Sequence, residues 1–112
     1  MSNVFVWFHN GSARPADSAK FYQELLGWKP SAGPPGTTML ARDTAPFAGI
    51  GEMEGKAAAW IPFVEVEDVE AAAKRATKLG AEIIRERSRG PAGEYVIVKD
   101  PGGASLALWQ KA

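Results

Sequence analysis

Apolar groups alternate at a period of two from Val4 to His9, with Val4, Val6 and Phe8 interleaving Phe5, Trp7 and His9. A strand imposes that rhythm by pointing successive side chains to opposite faces. Asn10, Gly11 and Ser12 are expected to break it. The period then lengthens: Ala19, Tyr22, Leu25 and Leu26 recur at spacings of three and four, predicting a helix from Pro15 to Leu26 with these four on one buried stripe. Pro15 suits a first helical turn, where its missing N–H would have lacked a partner, and Gly27 suits a left-handed cap. Strand-like stretches follow from Trp28, from Thr37 to Ala41 and from Phe47 to Met53, separated by turns at Gly33 to Gly36 and Thr44 to Pro46.

The second half repeats this order. Trp60 to Val66 reads as a strand, Asp68 as a helix cap, and Val69, Ala72, Ala73, Ala76 and Leu79 as the apolar stripe of a helix that Gly80 ends. Strands are expected at Glu82 to Glu86, Glu94 to Lys99 and Ser105 to Gln110, the last two joined by a tight turn at Asp100 to Gly103. Each half is thus strand, helix, three strands. The helix-ending glycines lie close to half the chain apart, which points to an internal duplication. We read one α+β domain of two βαβββ modules, 1–54 and 59–112, linked by Gly55 to Ala59. One helix cannot build a core alone, so the halves are expected to complete each other.

Composition narrows the functional classes. The 112 residues, 46% hydrophobic and 23% charged, suit one compact domain. Thirteen basic residues balance thirteen acidic ones, so charge makes no case for nucleic acid or an anionic membrane, and a small molecule or a protein is the easier partner. The absence of cysteine removes disulfides and thiolate chemistry. Neither a secretory leader nor a membrane-length apolar run is present, giving an expectation of a soluble, cytoplasmic protein.

Three stretches carry a family resemblance: Phe21-Tyr22-Gln23-Glu24-Leu25-Leu26-Gly27-Trp28, Val64-Glu65-Val66-Glu67-Asp68-Val69-Glu70-Ala71-Ala72, and Lys99-Asp100-Pro101-Gly102-Gly103 through Leu108-Trp109-Gln110. With the duplication, the chain resembles the vicinal oxygen chelate superfamily of glyoxalases, bleomycin resistance proteins and extradiol dioxygenases. The resemblance implies a curved eight-stranded sheet whose concave face forms a ligand cup, with helices on the convex side, and a homodimer. It also implies four metal ligands in metal-using members, mostly His and Glu. Trp7, Ile61 and Ala107 occupy three of the corresponding positions, and only Glu52 or Glu54 stands near the fourth. A divalent ion needs three or more converging donors, so the expectation is a subgroup with neither metal nor cofactor.

Alternation assigns Val4, Val6, Phe8, Val64, Val66, Val96, Val98, Leu106 and Leu108 to the helix side. It leaves Phe5, Trp7, His9, Ile61, Phe63, Glu65, Tyr95, Ile97, Ala107 and Trp109 to line the cup. Among these, Trp7, Phe63, Tyr95 and Trp109 are the expected packing surface for a ligand, with His9 and Glu65 to orient it. His9, the single histidine, is the candidate acid–base residue, set against a plain hydrogen-bonding role at a strand end. A metal site of His9, Glu52 and Glu65 ranks below a metal-free pocket. Trp60 reads as core packing, the Gly49-x-Gly51 pair as close backbone packing, and Arg85, Arg87 and Arg89 as a solvated strand face. The expectation is a glyoxalase-like protein binding a small, partly apolar or aromatic molecule. The alternatives are a metal-dependent lyase, isomerase or dioxygenase of the same superfamily and a drug-sequestering resistance protein.

Overall fold

The computed structural model describes residues 3–53, 57–90 and 92–112. Glu54, with Gly55 and Lys56 of the expected link, lies outside them. The fold is mixed α+β: β1 (Phe5–Ser12), α1 (Pro15–Leu26), β2 (Lys29–Ala32), β3 (Thr38–Ala41), β4 (Pro46–Glu52), β5 (Ala59–Glu65), α2 (Val69–Lys78), β6 (Glu82–Gly90), β7 (Gly93–Lys99) and β8 (Ser105–Lys111). Two compact units divide the chain, one of residues 7–61 and one of residues 62–112 with the start of β1 through Val6.

In residues 7–61 the strand order is β2-β3-β4-β1, antiparallel except for the parallel β1–β4 pair. Helix α1 begins on Pro15 and ends at Gly27, whose φ of 73° is the left-handed geometry expected there. Ala19 packs with the buried Leu40, Ala48 and Ile50, and Tyr22, Trp28 and Phe47 close over them. Tyr22 is the hub of this side. Its ring stacks on Trp28 with centroids 5.2 Å apart, and its hydroxyl accepts from Trp60 Nε1 at 3.0 Å and Asn10 Nδ2 at 3.4 Å. Trp60, expected in the core, is instead 38% exposed and sets its ring against the edge of Tyr22, and the Phe21-Tyr22 and Gly27-Trp28 stretches have a structural reason.

Three expectations fail along β1 and α1. Leu25 and Leu26 are 63% and 50% exposed, because the apolar surface under α1 is used up by Ala19 and Tyr22 before the last turn. Asn10, Gly11 and Ser12 do not break β1, since β4 supplies a parallel ladder at Asn10↔Ile50, Gly11↔Gly51 and Ser12↔Glu52. That extension explains the third failure. The part of β1 that meets α1 is its polar far end, where Asn10 reaches Tyr22 and the Ser12 hydroxyl lies 2.7 Å from that of Ser18. Val4, Val6 and Phe8, expected beneath a helix, are exposed instead.

In residues 62–112 the order is β5-β8-β7-β6, with β5 and β8 parallel. Asp68 caps α2 by accepting the backbone N–H of Glu70 at 3.0 Å and Ala71 at 3.1 Å. Gln110 Oε1 accepts a third, from Val69 at 2.9 Å, which pins the helix start to the end of β8. Val69, Val96 and Val98 are buried together, with Val66, Leu106 and Leu108 packed around them, so the helix-side assignment holds for Val66, Val96, Val98, Leu106 and Leu108. Leu79 is an exception: it falls beyond the helix as its C-cap and is 64% exposed. The Asp100–Gly103 turn forms as expected, the Asp100 carboxylate accepting from Gly102 and Ala104. Strand β6 runs four residues past the expected Glu86, because β7 continues to pair with it as far as Gly90↔Gly93.

Candidate functional site

The face of residues 62–112 turned away from α2 is set by register. Phe63 lies opposite Ala107 and Glu65 opposite Trp109 on β8; Ala107 and Trp109 in turn lie opposite Ile97 and Tyr95 on β7. Since Val66, Val96, Val98 and Leu108 pack toward α2, their strand neighbours Glu65, Tyr95, Ile97 and Trp109 point the other way. The Phe63 and Tyr95 rings meet at 5.8 Å between centroids, tilted by 43°. Four of the expected ligand-binding residues, Phe63, Glu65, Tyr95 and Trp109, thus share one half-buried surface. Ile97 and Ala107 share that face by register but are fully buried, at 2% and 0% exposure.

The other two expected residues, Trp7 and His9, stand two positions apart, hence on the same face of β1, in residues 7–61. Their rings lie over the two glycines of β4. A Cβ built on Gly49 would come within 3.2 Å of Trp7 Cζ2, and one built on Gly51 within 3.2 Å of His9 Cε1 and 3.4 Å of Nε2. Gly49-x-Gly51 is therefore a seat for aromatic rings. Ile61, expected to line the cup, is buried.

The arginines depart most from their sequence pattern. Register shifts between Ile83 and Arg85 and between Arg85 and Ser88 break the alternation. Arg85 lies over Tyr95, with its guanidinium carbon 5.6 Å from the ring centroid. Arg87 and Arg89 go to the helix side. Arg87 Nε donates to Glu94 at 2.7 Å and its Nη2 makes a second bond to the same oxygen, while Nη1 reaches Glu70 at 3.0 Å; Arg89 donates to the other Glu94 oxygen at 3.0 Å. All three arginines are exposed, as expected of a solvated strand, and two of them hold a carboxylate between their guanidinium groups. Those bonds, from Arg87 first and then Arg89, hold the Glu94 carboxyl below the usual carboxylate range, and Glu94 raises Arg87 in return.

A depressed folded-state pKa adds stability above the unfolded value, and that stability fades as pH falls through the folded one. The melting temperature of the wild type should therefore exceed that of Glu94→Gln at neutral pH by a small margin, with the two curves converging below about pH 4. A gap independent of pH would refute the ion-pair account. A cleft of about 600 Å³ opens beside this cluster, lined by Arg87, Arg89, Gly90, Gly93, Glu94, Gln110, Lys111 and Ala112. Its lining residues are charged, polar or small, without the large hydrophobic and aromatic side chains usual for small-molecule pockets.

The described residues do not suit a divalent ion. Indole, isoleucine and alanine side chains at Trp7, Ile61 and Ala107 offer no lone pair to a metal, and no three His, Asp or Glu among the described residues converge on a point. His9, Glu52 and Glu65 are not gathered into such a set. No helix of the described residues is long and apolar enough to cross a membrane.

Known proteins place this geometry. The chain is 29% identical over 129 aligned residues to the anthracycline biosynthesis protein DnrV of Streptomyces peucetius, covering 95% of this chain and 46% of that protein. It is 28% identical over 115 aligned residues to the Mycobacterium bovis protein CFP32, covering 93% and 44%. The chain thus spans somewhat under half the length of these curated relatives. Its fold is similar to that of a glyoxalase/bleomycin resistance protein/dioxygenase superfamily member from Vibrio splendidus 12B01, with a TM-score of 0.65 at 15% identity over 95% of this chain and 97% of that one. The model of one family matches residues 11–108, nearly the whole of the βαβββ repeat, and the chain belongs to that family, the Glyoxalase/Bleomycin resistance protein/Dioxygenase superfamily.

Proposed function

We propose that this protein binds a small, partly apolar or aromatic molecule against the sheet faces turned away from its helices, and that it does so without a metal ion. The observation that carries this reading is the Phe63–Tyr95 pair with Trp109 beside it in register, half-buried on a face that α2 leaves open. Covering apolar surface is worth roughly 25 cal/mol per Å², and an offset or edge contact between rings adds about 0.5–1.5 kcal/mol, so a flat molecule gains both by lying there. Glu65 supplies the polar contact on that face. Trp7 and His9 are the corresponding groups of residues 7–61, with His9 the acid–base candidate of that surface. The relative named for anthracycline biosynthesis supports including fused-ring aromatics among the ligands to be tried.

A thermal-shift screen over mono-, bi- and polycyclic aromatics tests the proposal. At a hundredfold excess over Kd a ligand stabilises the fold by about 2.7 kcal/mol, a shift of several degrees. Phe63→Ala and Trp109→Ala should each shrink that ligand-induced increment, whatever they do to the melting temperature of the free protein. A panel without any shift, or increments of the same size in both variants, would overturn the proposal.

A further inference from the structure

The aromatic floor of residues 62–112 is assembled over β8. Phe63 and Tyr95 stand on the strands either side of it, two spacings or about 10 Å apart, so ring centroids only 5.8 Å from each other mean that the rings lean together across β8. Ala107 lets them meet: it lies opposite Phe63, is fully buried and carries only a methyl group. Gly93 makes the matching room for Trp109. A Cβ built there would stand 3.0 Å from the indole Nε1, so the indole edge lies against β7, on the strand that carries Tyr95. Glu65 flanks this floor on β5, in register with Trp109 and two residues beyond Phe63.

Glu65 differs from the carboxylates on the helix side. Glu70 and Glu94 are tied to Arg87 and Arg89, whereas among the described residues no hydrogen bond or ion pair engages the half-buried Glu65 carboxylate. Lys111, two residues past Trp109, lines the cleft beside Glu94. Arg85 sets its guanidinium over Tyr95, two strand spacings or about 10 Å from Glu65, which exceeds the screening length of about 8 Å at physiological ionic strength. Its seat against that ring is itself a measure of the floor: a cation rests on the negative face of an aromatic side chain, and indole is the strongest such partner. At the β5 flank the same kind of ring surface adjoins a carboxylate. Aromatic faces and a carboxylate together suit an organic cation, through ring contact on one side and charge-assisted hydrogen bonds on the other.

Building on the aromatic-ligand reading above, we infer that the molecule bound on this face is an aromatic amine, protonated at neutral pH, with its ring over Phe63, Tyr95 and Trp109 and its ammonium group at Glu65. Glu65 is then the residue that selects amines over neutral compounds and acids of the same shape, and it fixes which end of the ligand faces β5.

Isothermal titration with a matched pair, 2-naphthylmethylamine and 2-naphthylmethanol, separates the charge from the ring. The wild type should bind the amine at least tenfold more tightly than the alcohol, and raising salt from about 50 to about 500 mM should erode that preference. In Glu65→Gln, which keeps the shape of the side chain, the ratio should fall to near one while the alcohol binds as it does to the wild type. Equal affinities in the wild type, a preference that survives Glu65→Gln, or tighter binding of 2-naphthoate than of the amine would overturn the inference while leaving the aromatic-ligand reading standing. Failure of all three probes to bind the wild type would overturn the two together.

Discussion

Alanine at Gly93 should cost this protein about 3–5 kcal/mol, the upper range for a single substitution. Gly93 opens β7 with a φ of 146°, a conformation L side chains rarely adopt, and it is buried opposite Lys111 of β8. A Cβ built there would stand 2.0 Å from the Gln110 carbonyl oxygen, 2.9 Å from the Ala112 nitrogen and 3.0 Å from Trp109 Nε1. Two of those atoms are backbone, so relief requires the β7–β8 pairing itself to open at this end. At about 4–8 °C per kcal/mol for a domain near this size, the melting temperature should fall by more than about 10 °C. Gly103 is the control. Its φ of 100° is also positive, but a Cβ there meets nothing within 4 Å, so Gly103→Ala should cost only the backbone strain, on the order of 1–2 kcal/mol. Equal melting temperatures for the two variants would show that the steric argument is wrong.

Leu40→Ala is the second large effect, expected at about 3–5 kcal/mol. Leu40 is fully buried on β3 against Ala19, Ala48 and Ile50, with Tyr22, Trp28 and Phe47 around them. Removing its side chain loses transfer free energy and leaves a cavity. Two of the three buried neighbours are alanines, which have no side chain long enough to fall into the gap, and Tyr22 is tethered through its hydroxyl to Trp60 and Asn10. Leu40→Met conserves volume and should cost less than about 1.5 kcal/mol. Urea denaturation reads both as shifts in midpoint at constant slope. A loss below about 1 kcal/mol for Leu40→Ala would mean that the cluster around Tyr22 repacks.

Helix ends were the most legible feature of the sequence, because Pro15, Gly27, Asp68 and Gly80 each act within one turn of the backbone and need no distant partner. The reach of each apolar stripe was less so. A period of 3.6 says which side of a helix is buried, whereas the exposure of Leu25 and Leu26 depends on how far the sheet beneath α1 extends. Likewise Asn10, Gly11 and Ser12 are poor strand formers by propensity, and the β4 ladder overrides that weak preference.

For the site, alternation sufficed to place Phe63, Glu65, Tyr95 and Trp109 on one face, since β5, β7 and β8 pair across it without a register break. Arg85 was hidden because β6 does not. Its neighbours Arg87 and Arg89 keep a strict period of two in sequence, and nothing local marks the inserted residues that put Arg85 on the opposite side from them. The glycine seat was half visible. Close backbone packing was expected of Gly49 and Gly51, but the rings that occupy the space come from a strand some forty residues earlier.

That seat makes the surface of residues 7–61 adjustable from a distance. Trp7 and His9 rest on β4 so closely that a methyl group at Gly49 or Gly51 would require the ring above it to give way by a few tenths of an ångström. A single small side chain there would raise one ring and leave the other in place. The height of the indole and that of the imidazole are thus two independent settings, both controlled by a strand that carries neither. A lineage of such proteins has a short route to new ligand shapes, in which the aromatic and basic groups stay constant and only the floor beneath them changes.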